Sequence, residues 1–77
     1  MFNEPTPSQQ YAWALESVTL INAIVADDTG YIQPTECVDR NVRHLQLMVT
    51  KDFWEAGHDM SPLNSAISAG LAYIGSP

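Results

Sequence analysis

Apolar residues recur with the period of an α-helix in three segments of the chain, and the first segment has helix-boundary residues at both ends. Thr6 is placed to cap the N-terminus, and Pro7 occupies the first helical position, where its missing N–H costs nothing. Gly30 follows Asp28 closely and can adopt the left-handed conformation that ends many helices. The pattern predicts a helix over residues 7–28, about 33 Å long at a rise of 1.5 Å per residue.

The apolar surface of this first helix is wider than a single core requires. When successive side chains are placed about 100° apart, one broad arc collects Tyr11, Ala14, Leu15, Val18, Ile21 and Val25. A second group extends that arc to one side, and it consists of Trp13, Leu20 and Ile24. The two groups together span about 200°, whereas a helix packed on one core needs a stripe of little more than about 100°. We therefore expect the excess to be covered, either by two other helices of this chain or by another chain.

A second helix is predicted from Pro34 to about Ala56, with proline again at the first helical position. Its core stripe has the spacing i, i+4, i+7, i+11 and consists of Val38, Val42, Leu45 and Val49. An alternative is a short strand over residues 45–50. The sequence offers no second strand with turn residues to pair with it, so the helix is favoured.

The opposite face of the second helix is charged but carries two large apolar side chains, Leu47 and Trp54. The basic residues around them are Arg40, Arg43 and Lys51. Tryptophan and arginine are enriched where binding energy concentrates, and an apolar patch rimmed by charge is typical of an interface. The alternative is that Trp54 folds into the core at the helix end and that Leu47 is an ordinary exposed leucine.

A third helix is predicted over residues 62–74, after the capping pair Ser61 and Pro62. Its inner face consists of Leu63, Ala66, Ile67, Gly70, Leu71 and Ile74. Ala66 and Gly70 are four residues apart, so another helix backbone can approach closely there. The outer face has no charged residue, which indicates that it is largely covered.

Together these segments predict an all-α fold, a small up-down-up three-helix unit with helices over about 7–28, 34–56 and 62–74. Connections of about five residues place successive helices antiparallel. We divide the chain into a flexible leader over residues 1–6 and a single helical domain over residues 7–77. Because the apolar surface exceeds what three helices can hide, oligomerisation could complete the unit.

The charge of the chain argues against several kinds of partner. Nine acidic residues against three Lys and Arg give a net charge of −6, and residues 1–33 contain no Lys or Arg. The chain lacks the basic footprint that phosphate binding requires, so neither nucleic acid nor an anionic membrane is expected as a partner. No apolar run approaches the roughly 18 residues of a membrane span, and the N-terminus does not have the pattern of a secretory signal. We expect a cytoplasmic protein, in the host cytoplasm if a phage encodes it.

Few residues suggest chemistry, and we predict neither an enzyme nor a bound cofactor or metal. Glu55 and His58 have the Glu-x-x-His spacing of di-metal carboxylate bundles, but such sites need two of these motifs, and Gly57 interrupts this one. Cys37 and His44 are about 10 Å apart along one helix, too far for the direct hydrogen bond of a catalytic pair. A single cysteine also excludes an intrachain disulfide.

The sequence therefore favours a small, acidic, non-enzymatic protein-interaction module that self-associates and binds a protein partner through apolar helix faces. The predicted contact residues are Trp13, Leu20, Ile24, Arg40, Arg43, Leu47 and Trp54. One alternative is an inhibitor of phage or mobile-element type that blocks a host nucleic-acid-binding complex, with an acidic surface formed by Glu16, Asp27 and Asp28. Another is a structural component of a larger assembly such as a virion.

Overall fold

Three α-helices in up-down-up order make up the protein. The computed structural model describes residues 4–27 and 35–75, and within these ranges it contains no β-strand. The helices in chain order are α1 Pro7–Val25, α2 Thr35–Val49 and α3 Ser61–Gly75. Each helix packs against the other two, which confirms the predicted all-α three-helix unit. Three predicted helix-boundary residues lie outside the described residues: Asp28, Gly30 and Pro34.

Helix α1 begins where the sequence predicts, but it ends earlier than predicted. The Thr6 Oγ1 atom accepts a hydrogen bond from the Gln9 N–H at 3.1 Å and so satisfies one of the donors left open at a helix start. The helix ends at Val25, short of the predicted end. The Asp27 N–H donates to the Ile24 carbonyl at 3.2 Å, and this i→i+3 closure tightens and terminates the last turn.

The core lies where the three helices meet and is built from small and medium-sized side chains. Its buried apolar members are Ala14, Val18 and Ile21 of α1, Val38, Val42, Leu45 and Met48 of α2, and Leu63 and Ala66 of α3. The predicted core stripe of α2 is thereby confirmed except at Val49, which is half-buried. No buried side-chain nitrogen or oxygen among the described residues lacks a hydrogen-bond partner, as stable interiors require.

At Gly70 the backbone of α3 comes close to both of the other helices. A Cβ atom at this position would overlap the Cγ2 atom of Val42 and would lie 3.4 Å from Ile21 Cγ2 and Val38 Cγ1. Ala66, one turn earlier on α3, is also buried. The small residues of α3 therefore set its distance from α1 and α2, as the spacing of Ala66 and Gly70 predicts.

Helix α2 is shorter than predicted, because it ends at Val49 and not near Ala56. The Leu47 carbonyl accepts both the N–H of Thr50, at 3.2 Å, and its hydroxyl, at 2.7 Å. These i→i+3 bonds close the last turn, and the chain then runs irregularly to α3. The sequence pattern conceals this end because no glycine or proline occurs between Pro34 and Gly57.

Three apolar residues that the helical wheel places on inner faces are exposed, namely Leu15, Val25 and Leu71. The wheel identifies the apolar arc of a helix but not the part of the arc that faces its neighbours. In α1 the buried side includes Ser17 and Ile21, which face α2 and α3. Leu15 lies beyond the edge of that side, whereas Val25 lies on it but is the last residue of α1, and both are in contact with solvent.

We expect Gly70→Ala to lower the free energy of unfolding by about 1–3 kcal/mol, because the added methyl group overlaps Val42 and outweighs the higher helix propensity of alanine. Urea unfolding followed by circular dichroism measures this loss. Gly75→Ala is the matched control, since a Cβ atom there meets nothing within 4 Å, and it should cause no loss.

The clash itself can be tested by removing the atom that causes it. In the double variant Gly70→Ala, Val42→Ala, the loss should be smaller than the sum of the losses in the two single variants, since the overlapping methyl group is absent. Additive losses, or an unchanged unfolding midpoint for Gly70→Ala alone, would contradict the close approach of α3.

Candidate protein-interaction surface

Helices α1 and α2 run antiparallel, and one side-chain hydrogen bond joins them across their seam. The Ser17 Oγ atom on α1 lies 2.9 Å from Nδ1 of His44 on α2. The first turn of α1 meets the chain that follows α2, since the ring of Tyr11 packs edge-on against Trp54. Residues that precede Ser17 therefore lie level with residues that follow His44, and residues that follow Ser17 lie level with those that precede His44.

Two pairs of residues share the outer side of this seam. Trp13 and Leu20 are seven residues apart on α1, and a separation of seven places both on one side of a helix. Arg40 and Leu47 have the same separation on α2. In the antiparallel register Trp13 is level with Leu47, and Leu20 is level with Arg40. We call the surface formed by these four residues the α1–α2 face.

The α1–α2 face points away from α3. Around the circumference of α1, Ser17 lies between the face and Ile21, which packs beside Gly70 of α3. Around α2, His44 lies between the face and Val42, which also packs against Gly70. Helix α3 therefore covers the opposite side of the seam and leaves the α1–α2 face open.

The apolar side chains of the face are in contact with solvent. Trp13 is 43% exposed, Leu20 is 49% exposed and Leu47 is 56% exposed. Single exposed leucines are ordinary on protein surfaces, but three large apolar side chains on one side of one seam form a patch. The exposure of these three predicted contact residues is observed, their position on one side of the seam follows from the helical register, and their role in contacts stays a prediction.

Charges of opposite sign lie on the two outer edges of the face. Glu16 is the single charged residue of α1 and is exposed between Trp13 and Leu20 on their outer side. Arg43 is exposed on the outer edge of α2, where its Nε donates to the Asp39 carboxylate at 3.0 Å. This i,i+4 pair contributes only about 0.3–0.5 kcal/mol. It engages Nε alone, so the terminal nitrogens of the guanidinium group can bind a second carboxylate.

Two of the predicted contact residues lie elsewhere. Ile24 is half-buried and packs against the core. The sequence pattern predicts Trp54 on the charged face of α2, and this prediction is wrong because α2 ends at Val49. The indole folds back, and its Nε1–H donates to the Met48 carbonyl at 2.8 Å. The half-buried ring packs against the core, which is the alternative that the sequence left open.

A cluster of rings closes one end of the bundle, and no sequence pattern indicates it. The Trp54 ring lies 4.7 Å from Phe53, 5.4 Å from His58 and 5.9 Å from Tyr11, measured between centroids. The Tyr11 hydroxyl also donates to the Asp59 carbonyl at 2.6 Å. Edge-on aromatic pairs contribute about 0.5–1.5 kcal/mol each beyond the area they bury. The cluster fastens the start of α1 to the connection between α2 and α3.

Two of the residues considered for chemistry, His58 and Cys37, bond to neighbours in their own segment. His58 Nδ1 accepts from the Glu55 N–H at 3.2 Å, so the Glu-x-x-His segment is a turn and not one face of a helix. The Cys37 sulfur lies 3.7 Å from the side-chain amide of Asn41. Among the described residues, no three His, Cys, Asp or Glu side chains are grouped as metal ligands, and there is no pocket.

The predicted acidic surface is sparse in the described part of the chain. Glu16 is exposed, whereas Asp27 is half-buried just beyond the end of α1. The two are separated by about 16 Å along the helix axis, and Asp28 lies outside the described residues. A nucleic-acid strand carries a phosphate about every 3.4 Å along its axis, so this spacing does not reproduce a row of phosphates.

Asp59 has a perturbed acidity that follows from its position before α3. Its Oδ1 atom accepts from the Ser61 N–H at 2.9 Å. This bond, followed by one from the Ser61 side chain, lowers the pKa of the Asp59 carboxyl below its ordinary value, because both favour the charged form. The carboxylate thereby supports the first turn of α3, where negative charge is also favoured by the helix dipole.

Comparison of this chain with protein-family models, curated proteins and solved structures gives no match. Across the described residues, none of the helices combines the length and apolar character needed to cross a bilayer.

We expect Asp59→Asn to weaken the dependence of stability on pH in acid. Because the pKa of Asp59 is lower in the folded than in the unfolded chain, its charge stabilises the fold above about pH 4, and this stabilisation disappears as the pH falls through the folded-state pKa. Asparagine retains an acceptor for Ser61 but does not titrate in this range.

Urea unfolding between about pH 2 and pH 5 measures this effect. The free energy of unfolding should fall less steeply on acidification in Asp59→Asn than in the wild type. Asp52→Asn, an exposed acid in the same connection, is the matched control and should behave like the wild type. Identical pH profiles for wild type and Asp59→Asn would contradict the role of the Ser61 bonds.

Proposed function

We propose that this chain is a small acidic protein-binding module without catalytic activity, and that the α1–α2 face is its binding surface. The proposal rests on the exposure of Trp13, Leu20 and Leu47 side by side, on a bundle whose core does not include them. Contiguous exposed apolar side chains with a charged border are typical of surfaces that bind other proteins.

Folding of the single chain does not bury the apolar side chains of this face, so the favourable free energy of their burial remains available to a binding partner. Full burial of a large apolar side chain is worth about 1.5–3 kcal/mol, and Trp13, Leu20 and Leu47 remain about half exposed. A partner that covers the face would gain this contribution. Tryptophan and arginine are also the residue types whose truncation often weakens protein complexes most, and Trp13 and Arg40 both belong to the face.

The reactive side chains of the described residues support binding over catalysis. A nucleophilic cysteine needs a base within hydrogen-bond reach, whereas the Cys37 sulfur accepts from the side-chain amide of Asn41, which is not a base. His44 bonds to Ser17 across the seam, and His58 bonds to the backbone of Glu55 in a turn. In each case the bond organises the fold.

The double variant Trp13→Ser, Leu47→Ser should lose bound protein by more than about tenfold in affinity capture, because it removes two of the three exposed apolar side chains of the face. The tagged chain would be incubated with extract from the cells that produce it, together with an untagged copy of the same chain. Captured proteins would be identified and quantified by mass spectrometry.

Leu71→Ser is the matched control for this experiment. Leu71 is 47% exposed but lies on α3, outside the α1–α2 face, so its substitution should leave capture unchanged. Circular dichroism would verify that all variants keep the helical content of the wild type. Equal loss of capture in Leu71→Ser and in the double variant, or no protein captured by the wild type, would contradict the proposal.

A further inference from the structure

We infer that the occupant of the α1–α2 face is a second copy of this chain, bound about a two-fold axis that runs parallel to the seam between α1 and α2. The inference rests on the proposed function, since it names the partner of the same surface. The observation behind it is the order of groups across the face: acid at the α1 edge, apolar residues in the middle and base at the α2 edge.

This order makes the face complementary to itself. A two-fold axis parallel to the seam places α1 of each copy on α2 of the other, so each acidic edge meets a basic edge. The alternative two-fold axis, which crosses the seam at right angles, places α1 on α1. Helix α1 contains Glu16 and no basic residue, so that arrangement offers it no opposite charge. Complementary charge of this kind selects one orientation among several.

The heights of the side chains along the seam agree with the first arrangement. Rotation about an axis parallel to the seam leaves each residue at its own height. Taking Ser17 and His44 as level, Glu16 and Arg43 differ in height by only about 3 Å at a rise of 1.5 Å per residue. An arginine side chain spans this offset, so Glu16 of one copy can bind the terminal nitrogens of Arg43 of the other.

The apolar residues match in the same way. Trp13 and Leu47 differ in height by about 1.5 Å in this register, so Trp13 of one copy lies on Leu47 of the other. Leu20 is similarly level with Arg40, whose aliphatic stem can cover a leucine while its charge stays in water. Each of these contacts occurs twice in a symmetric dimer. The arrangement therefore buries the exposed apolar residues of both copies and pairs both charged edges.

Charge reversal at the two edges tests this arrangement. Glu16→Lys and Arg43→Glu should each weaken the homodimer by about tenfold or more, because each puts like charges together twice. An equimolar mixture of the two variants should recover a heterodimer. In that heterodimer the lysine introduced at position 16 faces the glutamate introduced at position 43, and the unchanged Glu16 and Arg43 face each other. Sedimentation velocity across a concentration series measures the association of each sample.

The chain offers a control with the same change in net charge as Glu16→Lys. This control is Glu55→Lys, since Glu55 is exposed in the connection between α2 and α3 and is not one of the residues of the face or its edges. It should dimerise like the wild type. Glu16→Gln and Arg43→Gln serve as milder variants if a reversal lowers the helical content, and each should weaken the dimer less than the reversal does.

The outcomes separate this inference from the proposed function. A wild-type chain that stays monomeric, or a mixture of the reversed variants that fails to associate, would overturn the dimer. Such a chain could still capture a different protein. If that capture were lost in the double variant Trp13→Ser, Leu47→Ser but kept in Leu71→Ser, the proposed function would stand with another partner. Failure of that capture as well would overturn both.

Discussion

The contact of the α3 backbone with Val42 and Ile21 is the constraint on which the rest of this structure depends. Only a residue without a side chain leaves room for it, and Gly70 is that residue. Because α3 lies so close, the interior between the helices is narrow, and small side chains such as Ala14 and Ala66 share it with Ile21, Leu45 and Leu63. A narrow interior is complete with few residues, so much of the apolar surface of α1 has no place inside.

A bundle this small has a thin margin of stability, and its open end is closed by local bonds. The carbonyl of Met48 at the end of α2 accepts the indole N–H of Trp54, which draws the following chain back over the core. Tyr11 then joins α1 to this chain through Asp59, and Asp59 in turn caps α3 through Ser61. The connection between α2 and α3 therefore acts as a structural clamp, and its tryptophan serves the fold.

The sequence predicts those structural features that are determined by residues close to one another in the chain. The cap at Thr6, the core stripe of α2 and the close approach at Gly70 all follow from residue type and helical spacing. The end of α2 at Val49 is not predictable in this way, because side-chain and backbone bonds terminate it without a glycine or proline. The α1–α2 face is intermediate. The sequence indicates its apolar residues, but the register that relates them across the seam is inferred from the bond between Ser17 and His44.

Glu16 and Arg43, the opposite charges at the two edges of the face, are too far apart to pair within one chain, and this separation suggests that each pairs with a group on another surface. Glu16 and Arg43 lie on the outer edges of two adjacent helices, whose axes are about 8–10 Å apart in typical packing, and the apolar residues lie between them. In a single chain these two groups face away from each other, and among the described residues Glu16 has no ion pair. Exposed positions such as Trp13 and Leu47 could carry polar residues at little cost to folding. Both features are accounted for when another surface, with base opposite Glu16 and apolar residues opposite Trp13, covers the seam.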